Sequence, residues 1–243
     1  MQRRNLVLAL ALLLAIGSGV WLVQRSNGQP AEATQPLGLF TSLPILWSEQ
    51  ADLRDVLAAP ENPHWAKTVL DQHGKIVALN TLLDLSRLDR LIIAQPRPLS
   101  PDENMALDEW VREGGKALVF VDPMLTHDSA FALGDRRRPQ DVVLVSPILG
   151  RWGLELQFDD AQPAGLRENA GEAMPVNLPG LFAFKKGGAD ARCKIRSQGL
   201  IARCSVGKGR VLLVADAALL ETEGDRQVQV ERFEHLLDES FGN

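Results

Sequence analysis

The sequence predicts an α/β fold built on a doubly wound, mostly parallel sheet that carries an antiparallel hairpin insertion. Three observations predict it. Leu91–Pro123 reads as a complete strand, helix, strand unit; apolar runs recur at βαβ spacing ahead of it; and a closing apolar strand, Val211–Ala215, is followed by an amphipathic helix over 227–240. A composition of 45% hydrophobic and 23% charged residues suits one globular domain with a sizeable core.

The elements follow in order. Leu43–Trp47 can form a first strand, and a helical stretch from His64 to Gln72 leads through Gly74 into a second strand at Ile76–Leu79. Leu91, Ile92, Ile93 and Ala94 form an unbroken apolar run, as expected of a parallel strand covered on both faces, and Pro96 and Pro98 end it. Ser100, Pro101 and Glu103 supply an N-cap, a proline at the first helical position and a capping-box acid. Leu107, Trp110 and Val111 share one face of that helix, whereas Asp102, Glu109 and Arg112 point elsewhere. Gly114 and Gly115 can close it, after which Ala117–Val121 forms the next strand and stops at Asp122 and Pro123. In the last helix Val230, Phe233, Leu237 and Phe241 recur at helical spacing and bury one face. A sheet of flavodoxin-like type follows.

Between Asp122 and Arg210 the rhythm lapses. A basic loop at Arg136–Arg138, a short helix near Pro147–Trp152 and alternation in Leu154, Leu156 and Phe158 read as an insertion, and Ala164–Gly188 reads as loops. If Gln198 and Gly199 form a two-residue hairpin turn, Ser197 faces Leu200, Ile195 faces Ala202 and Cys193 faces Cys204. Opposed cysteines can form a disulfide in an oxidising compartment, the favoured outcome; two buried thiols are the alternative, and a catalytic thiol lacks its strand-to-helix turn and neighbouring base. Gly207–Arg210 precedes a strand where a phosphate loop would follow one, so it reads as a tight turn.

Leu6–Val23 is a run of eighteen positions without a charge, enough for one membrane span. Arg3 and Arg4 before it and Arg25 after it leave the N-terminus cytoplasmic by a slim margin. Residues 1–5 are then a cytoplasmic N-terminus, 6–23 an anchor in a bacterial inner membrane, 24–36 a polar tether, and 37–243 a periplasmic domain. A signal peptide cleaved near Ala31–Ala33 is the rival reading, and both readings export the domain. The formal net charge of -5 becomes -7 over residues 34–243, which argues against nucleic acid as a partner.

In sheets of this kind ligands bind at the carboxyl ends of the strands. Ser48, Gln95, Asp122 and Asp216 fall there, with His127 just beyond Asp122, and they are the ligand-binding candidates. A hydrolase working through Asp122, His127 and Asp216 is the enzymatic alternative, but Asp122 and Asp216 are more simply turn caps. His64, His73 and His235 read as solvated helix residues. Nothing in the sequence calls for a metal or cofactor, and no nucleophile elbow, triad or nucleotide motif is present. Trp47 and Trp152 would suit saccharide binding if their rings faced solvent and would exclude it if buried.

The segments LIIAQPRPLSPDENMALDEWVREGGKALVFVDPML, ILGRWGLELQFD and GKGRVLLVADAALL resemble successive parts of the GldG-like auxiliary proteins of ABC transport systems. Those proteins are similar in turn to the class I glutamine-amidotransferase-like superfamily. The resemblance spans roughly residues 40–240. It implies a flavodoxin-like, membrane-anchored, extracytoplasmic module, non-catalytic because neither cysteine stands at a nucleophile elbow. Permease or ATPase subunits of a transporter, or a cell-envelope component, are the partners it implies.

Overall fold

A computed structural model describes residues 35–47, 49, 63–188, 191–221 and 223–242. The apolar run at 6–23, the N-terminus before it and most of the tether lie outside the described residues. Among the described residues no helix is long and apolar enough to cross a membrane.

The central sheet has seven strands. In chain order its first members are β1 (Leu37–Thr41), β2 (Ile76–Ala78), β3 (Arg90–Ala94) and β4 (Lys116–Phe120). Helix α1 (Trp65–His73) joins β1 to β2, and α2 (Pro101–Glu113) joins β3 to β4. The excursion after β4 holds α3 (Ser146–Arg151), β5 (Leu154–Phe158), β6 (Arg167–Asn169), β7 (Met174–Val176) and β8 (Gly180–Phe184). The chain then forms β9 (Ala191–Arg196), β10 (Ile201–Val206), β11 (Gly209–Val214) and α4 (Arg226–Phe241). The sheet order is β2-β1-β3-β4-β11-β10-β9. Its first five strands are parallel neighbours, the doubly wound order of flavodoxin-like sheets, with the switch point between β1 and β3. Helix α4 packs on β4, β11 and α1, while α2 packs on β11 and α3.

The capped helix forms as its sequence requires. The Ser100 hydroxyl accepts from the Glu103 N–H at 3.1 Å and Glu103 Oε2 accepts from the Ser100 N–H at 3.0 Å, the reciprocal bonds of a capping box. Arg97 grips the same carboxylate with both guanidinium nitrogens, at 2.7 and 2.9 Å. These charge-assisted bonds from Arg97 push the Glu103 carboxyl down to about 2, against the opposing effect of burial.

The first strand lies earlier than expected. Leu43–Trp47 is a bend, and β1 occupies Leu37–Thr41 between β2 and β3. Pro44 is the reason, because proline cannot donate to a central ladder; Leu43 and Ile45 instead bury their side chains beyond the strand end. At Gly38 a Cβ would meet Leu88 Cδ1 at 2.7 Å, so a side chain there would push Leu88 from its place in the core.

The cysteine hairpin keeps the expected register, with Ile195 opposite Ala202 and Cys193 opposite Cys204. Gln198 and Gly199 have φ of 56° and 98°, as a type I′ turn demands, and Leu200 N–H donates to the Ser197 carbonyl at 3.1 Å. A Cys193–Cys204 disulfide closes the pair. The hairpin is not an insertion beside the sheet, however. Its strand β10 pairs with β11, so β10 and β9 extend the central sheet to its far edge. Val206 pairs with Gly209 across the tight turn expected at 207–208.

Residues 164–188 are more ordered than a loop. β6 pairs with β7, and β8 pairs with β5 from Leu154 opposite Phe184 to Phe158 opposite Gly180. Met174, Val176 and Phe182 are buried there. These strands are short and find their partners through tertiary packing, which local composition does not display.

Candidate functional site

The topology directs attention to the carboxyl ends of the parallel strands, and the structure closes most of that edge. Gln95 follows β3 with φ of 45° and is wholly buried at the switch point. Its amide nitrogen donates to the carbonyls of Asp122 (3.0 Å) and Gln140 (2.7 Å), and its oxygen accepts from the Asp122 N–H at 2.8 Å. The Ser42 hydroxyl donates to the Gln95 carbonyl and accepts from the Gln140 N–H. The segment at 140–141 is thereby laced across the crevice. Gln95 takes a left-handed backbone conformation just past β3, and its side chain is engaged in holding two loops together.

The two aspartates are likewise occupied. Asp122 accepts from the N–H groups of Met124 (2.8 Å) and Ala217 (3.1 Å), and Asp216 from those of Ala218 (2.6 Å) and Asn177 (2.9 Å). Both are fully buried. Each is a turn cap that also ties distant loops to the sheet edge. Burial pushes Asp122 up to about 6, and burial together with the Asp122 charge holds Asp216 well above the usual carboxylate range. Glu221, nearby, is raised to about 7 by burial and then by the charges of Asp122, Glu223 and Asp128.

These raised values make a pH prediction. A carboxyl that ionises at about 7 in the folded chain and near 4.5 when unfolded stabilises the fold fully below 4.5, and that contribution is lost as pH rises through 7. Glu221→Gln stays neutral throughout, and Glu221 Oε1 has no hydrogen-bond partner to forfeit. The variant is expected to match the parent at pH 4.5 and exceed it by about 2 kcal/mol at pH 8, after discounting for partial exposure. Urea unfolding at the two pH values checks this; equal stability at pH 8 refutes it.

His127 does not join the aspartates. Its charged partner is Glu49, with Nε2 and Oε1 3.6 Å apart, and Glu49 Oε2 accepts from Ser129 Oγ (2.7 Å) and the Ala130 N–H (2.8 Å). Ser48 lies outside the described residues. Gln95, Asp122 and Asp216 thus adjoin one another through these bonds, while His127 pairs with Glu49. Among the described residues no group of His, Cys, Asp and Glu is arranged to hold a metal ion.

An open pocket of about 580 Å³ does lie at this end of the molecule. It is assembled from four segments: Trp47 and Glu49 after β1, His64 and Trp65 at the start of α1, His127 and Asp128 after β4, and Arg226 at the start of α4. Trp47 is 38% exposed and leans on Phe131, their centroids 6.0 Å apart. Trp65 packs edge-on against Phe233, takes the Arg226 guanidinium over its ring at 4.9 Å, and donates from Nε1 to the Glu221 carbonyl at 3.2 Å.

His64 is not a solvated helix residue but the N-cap of α1. Its Nδ1 accepts from the Ala66 N–H at 3.2 Å, and the ring also hydrogen-bonds the Leu220 carbonyl. Burial first, then the charges of Arg226 and His127, lowers its pKa to about 4, which keeps Nδ1 available as an acceptor at neutral pH. Trp152, by contrast, is 2% exposed and donates to Asp108, so it takes no part in any binding surface. Sequence reasoning missed Glu49, Trp65 and Arg226.

The class of protein this fold defines is a doubly wound α/β domain with a mostly parallel sheet. Its architecture is similar to parts of the exo-beta-1,4-mannosidase Op5Man5 from Opitutaceae bacterium strain TAV5 (20% identity, TM-score 0.46, covering 87% of this chain and 36% of that one) and a beta-galactosidase from Bacillus circulans sp. alkalophilus (11% identity, TM-score 0.45, 85% and 31%). It is also similar to a putative ThuA-like protein from Bacteroides uniformis (10% identity, TM-score 0.40, 89% and 97%). The chain thus spans about a third of the length of the two glycosidases. No curated protein matches it. Residues 64–163 match the family model described as an ABC-type uncharacterized transport system, in keeping with the resemblance to ABC-transporter auxiliary proteins.

Proposed function

We propose that this chain is a membrane-anchored, non-catalytic binding domain that works on the periplasmic side as an auxiliary component of an ABC transport system. The match of residues 64–163 to the transport-system family carries the reading. The sites where a doubly wound enzyme would place its chemistry support it, since Gln95, Asp122 and Asp216 all bind backbone groups. The uncharged run Leu6–Val23 supplies the anchor, and a disulfide between Cys193 and Cys204 suits an oxidising compartment. A hydrolase acting through Asp122, His127 and Asp216 would need both aspartates available at the edge, and they are engaged as caps.

The test is purification of the tagged chain at native expression from detergent-solubilised membranes. Permease or ATPase subunits are expected to co-purify. Recovery of the chain alone, or from the soluble fraction, overturns the proposal.

A further inference from the structure

We propose that the pocket between Trp47, Glu49, Trp65, His127, Asp128 and Arg226 binds a neutral saccharide, with Trp47 as the stacking platform. The volume, about 580 Å³, falls in the range of small-ligand sites and accommodates a mono- or disaccharide. Trp47 rests against Phe131 and is 38% exposed where it lines the pocket, which makes its ring the candidate partner for the apolar C–H face of a pyranose. Phe131 is held in turn by the Arg137 guanidinium, 4.1 Å above its ring, so the platform is braced from behind.

The polar walls carry the second observation. The Glu49 side chain is only 9% exposed, and two of its bonds fix its orientation. Its Oε1 and the facing His127 Nε2 nevertheless make no hydrogen bond. A buried acceptor and a buried imidazole nitrogen that meet only each other, 3.6 Å apart, make this wall polar and short of hydrogen bonds. Asp128 adds an exposed carboxylate that can accept from hydroxyls, and Arg226, which stacks on Trp65 and donates to Gln229 Oε1 at 2.7 Å, places a cation in the lining.

The mixed signs decide between ligand classes. A phosphate or carboxylate would meet Glu49 and Asp128, and a quaternary ammonium would meet Arg226. A hydroxyl-rich neutral ring is repelled by neither and can use donors and acceptors together. The inference stands apart from the transporter reading, because it concerns what this chain binds by itself.

The test uses the full chain in a polyoxyethylene detergent, since alkyl glycosides would compete. Maltose, cellobiose, lactose and N,N′-diacetylchitobiose are titrated while tryptophan fluorescence and saturation-transfer NMR are followed, with choline and inorganic phosphate as comparison probes. At least one disaccharide is expected to bind saturably. Trp47→Ala and Asp128→Asn are each expected to weaken that binding about tenfold, equivalent to about 1.4 kcal/mol. Both sites are on the surface, and near-ultraviolet dichroism and thermal unfolding establish that the variants fold. Absence of binding by all four disaccharides, saturation by choline or phosphate instead, or binding indifferent to both substitutions overturns the proposal. Failure to recover transporter subunits would leave this result untouched, so the two readings fail separately.

Discussion

Asp108→Ala is expected to lower the unfolding free energy by about 2 to 3 kcal/mol, the range for leaving a buried hydrogen-bond donor without its acceptor. Asp108 lies on α2, 2% exposed, and sequence patterning gave no reason to bury it. Its Oδ2 accepts from Arg112 Nε (3.0 Å) and Arg151 Nε (3.0 Å), and its Oδ1 from Trp152 Nε1 (2.9 Å). Burial works against its charge, but the bonds from Arg112, Trp152 and Arg151 outweigh that and hold the carboxyl below its ordinary value. Truncation returns two partly exposed guanidinium groups to water but leaves the buried indole N–H of Trp152 with no acceptor. Asp108→Asn keeps one oxygen for the indole and is expected to cost less. Urea unfolding of the three proteins checks the order; a loss below about 1 kcal/mol in Asp108→Ala would mean that α3 repacks without its anchor.

Gly209→Ala should cost about 3 kcal/mol or more, because the added methyl has nowhere to go. A Cβ at Gly209 would lie 2.0 Å from the Val111 carbonyl oxygen and 2.3 Å from that of Gly115. Both obstacles are backbone, so no rotamer change relieves them. The turn between β10 and β11 is pinned to the end of α2 by Lys208 N–H donating to the Arg112 carbonyl (2.9 Å) and Arg210 N–H donating to that of Gly115 (3.2 Å). Making room therefore breaks those bonds and shifts β11, a central strand. Gly134→Ala serves as the comparison, since a Cβ there meets nothing within 4 Å and only its φ of 86° is unfavourable. Thermal and urea unfolding separate the two; equal losses would contradict the packing account.

What the sequence revealed was what local chemistry writes down. The ends of α2 were readable because Ser100, Pro101, Glu103 and Gly114 act within a turn of where they stand. The register of the cysteine hairpin was readable because a two-residue turn leaves a single way to pair β9 with β10. Position within the sheet was not. Nothing near Cys204 announces that β10 lies against β11 rather than apart from the sheet, and the apolar run across Pro44 hid the end of β1. Gln95, Asp122 and Asp216 stand just past the ends of their strands, yet their bonds reach Gln140, Asn177 and Ala217, partners far away in the chain. The pocket was harder still, because its walls come from four separated segments and none of them carries a motif.

The position of β11 has a consequence for how the chain is made. Strand β4 ends at Phe120 and its neighbour β11 begins at Gly209, so the chain returns beside β4 only after the excursion and after β9 and β10 have been made. Until Gly209–Val214 has emerged, β4 presents a bare, strongly apolar edge, and β10 and β9 have no strand to pair onto. A sheet closed by such a distant strand acquires its cooperative stability late, after closure of the long loop from β4 to β11. Chains interrupted before residue 209 are therefore open-edged intermediates, prone to pair that edge with another chain until Gly209–Val214 has emerged.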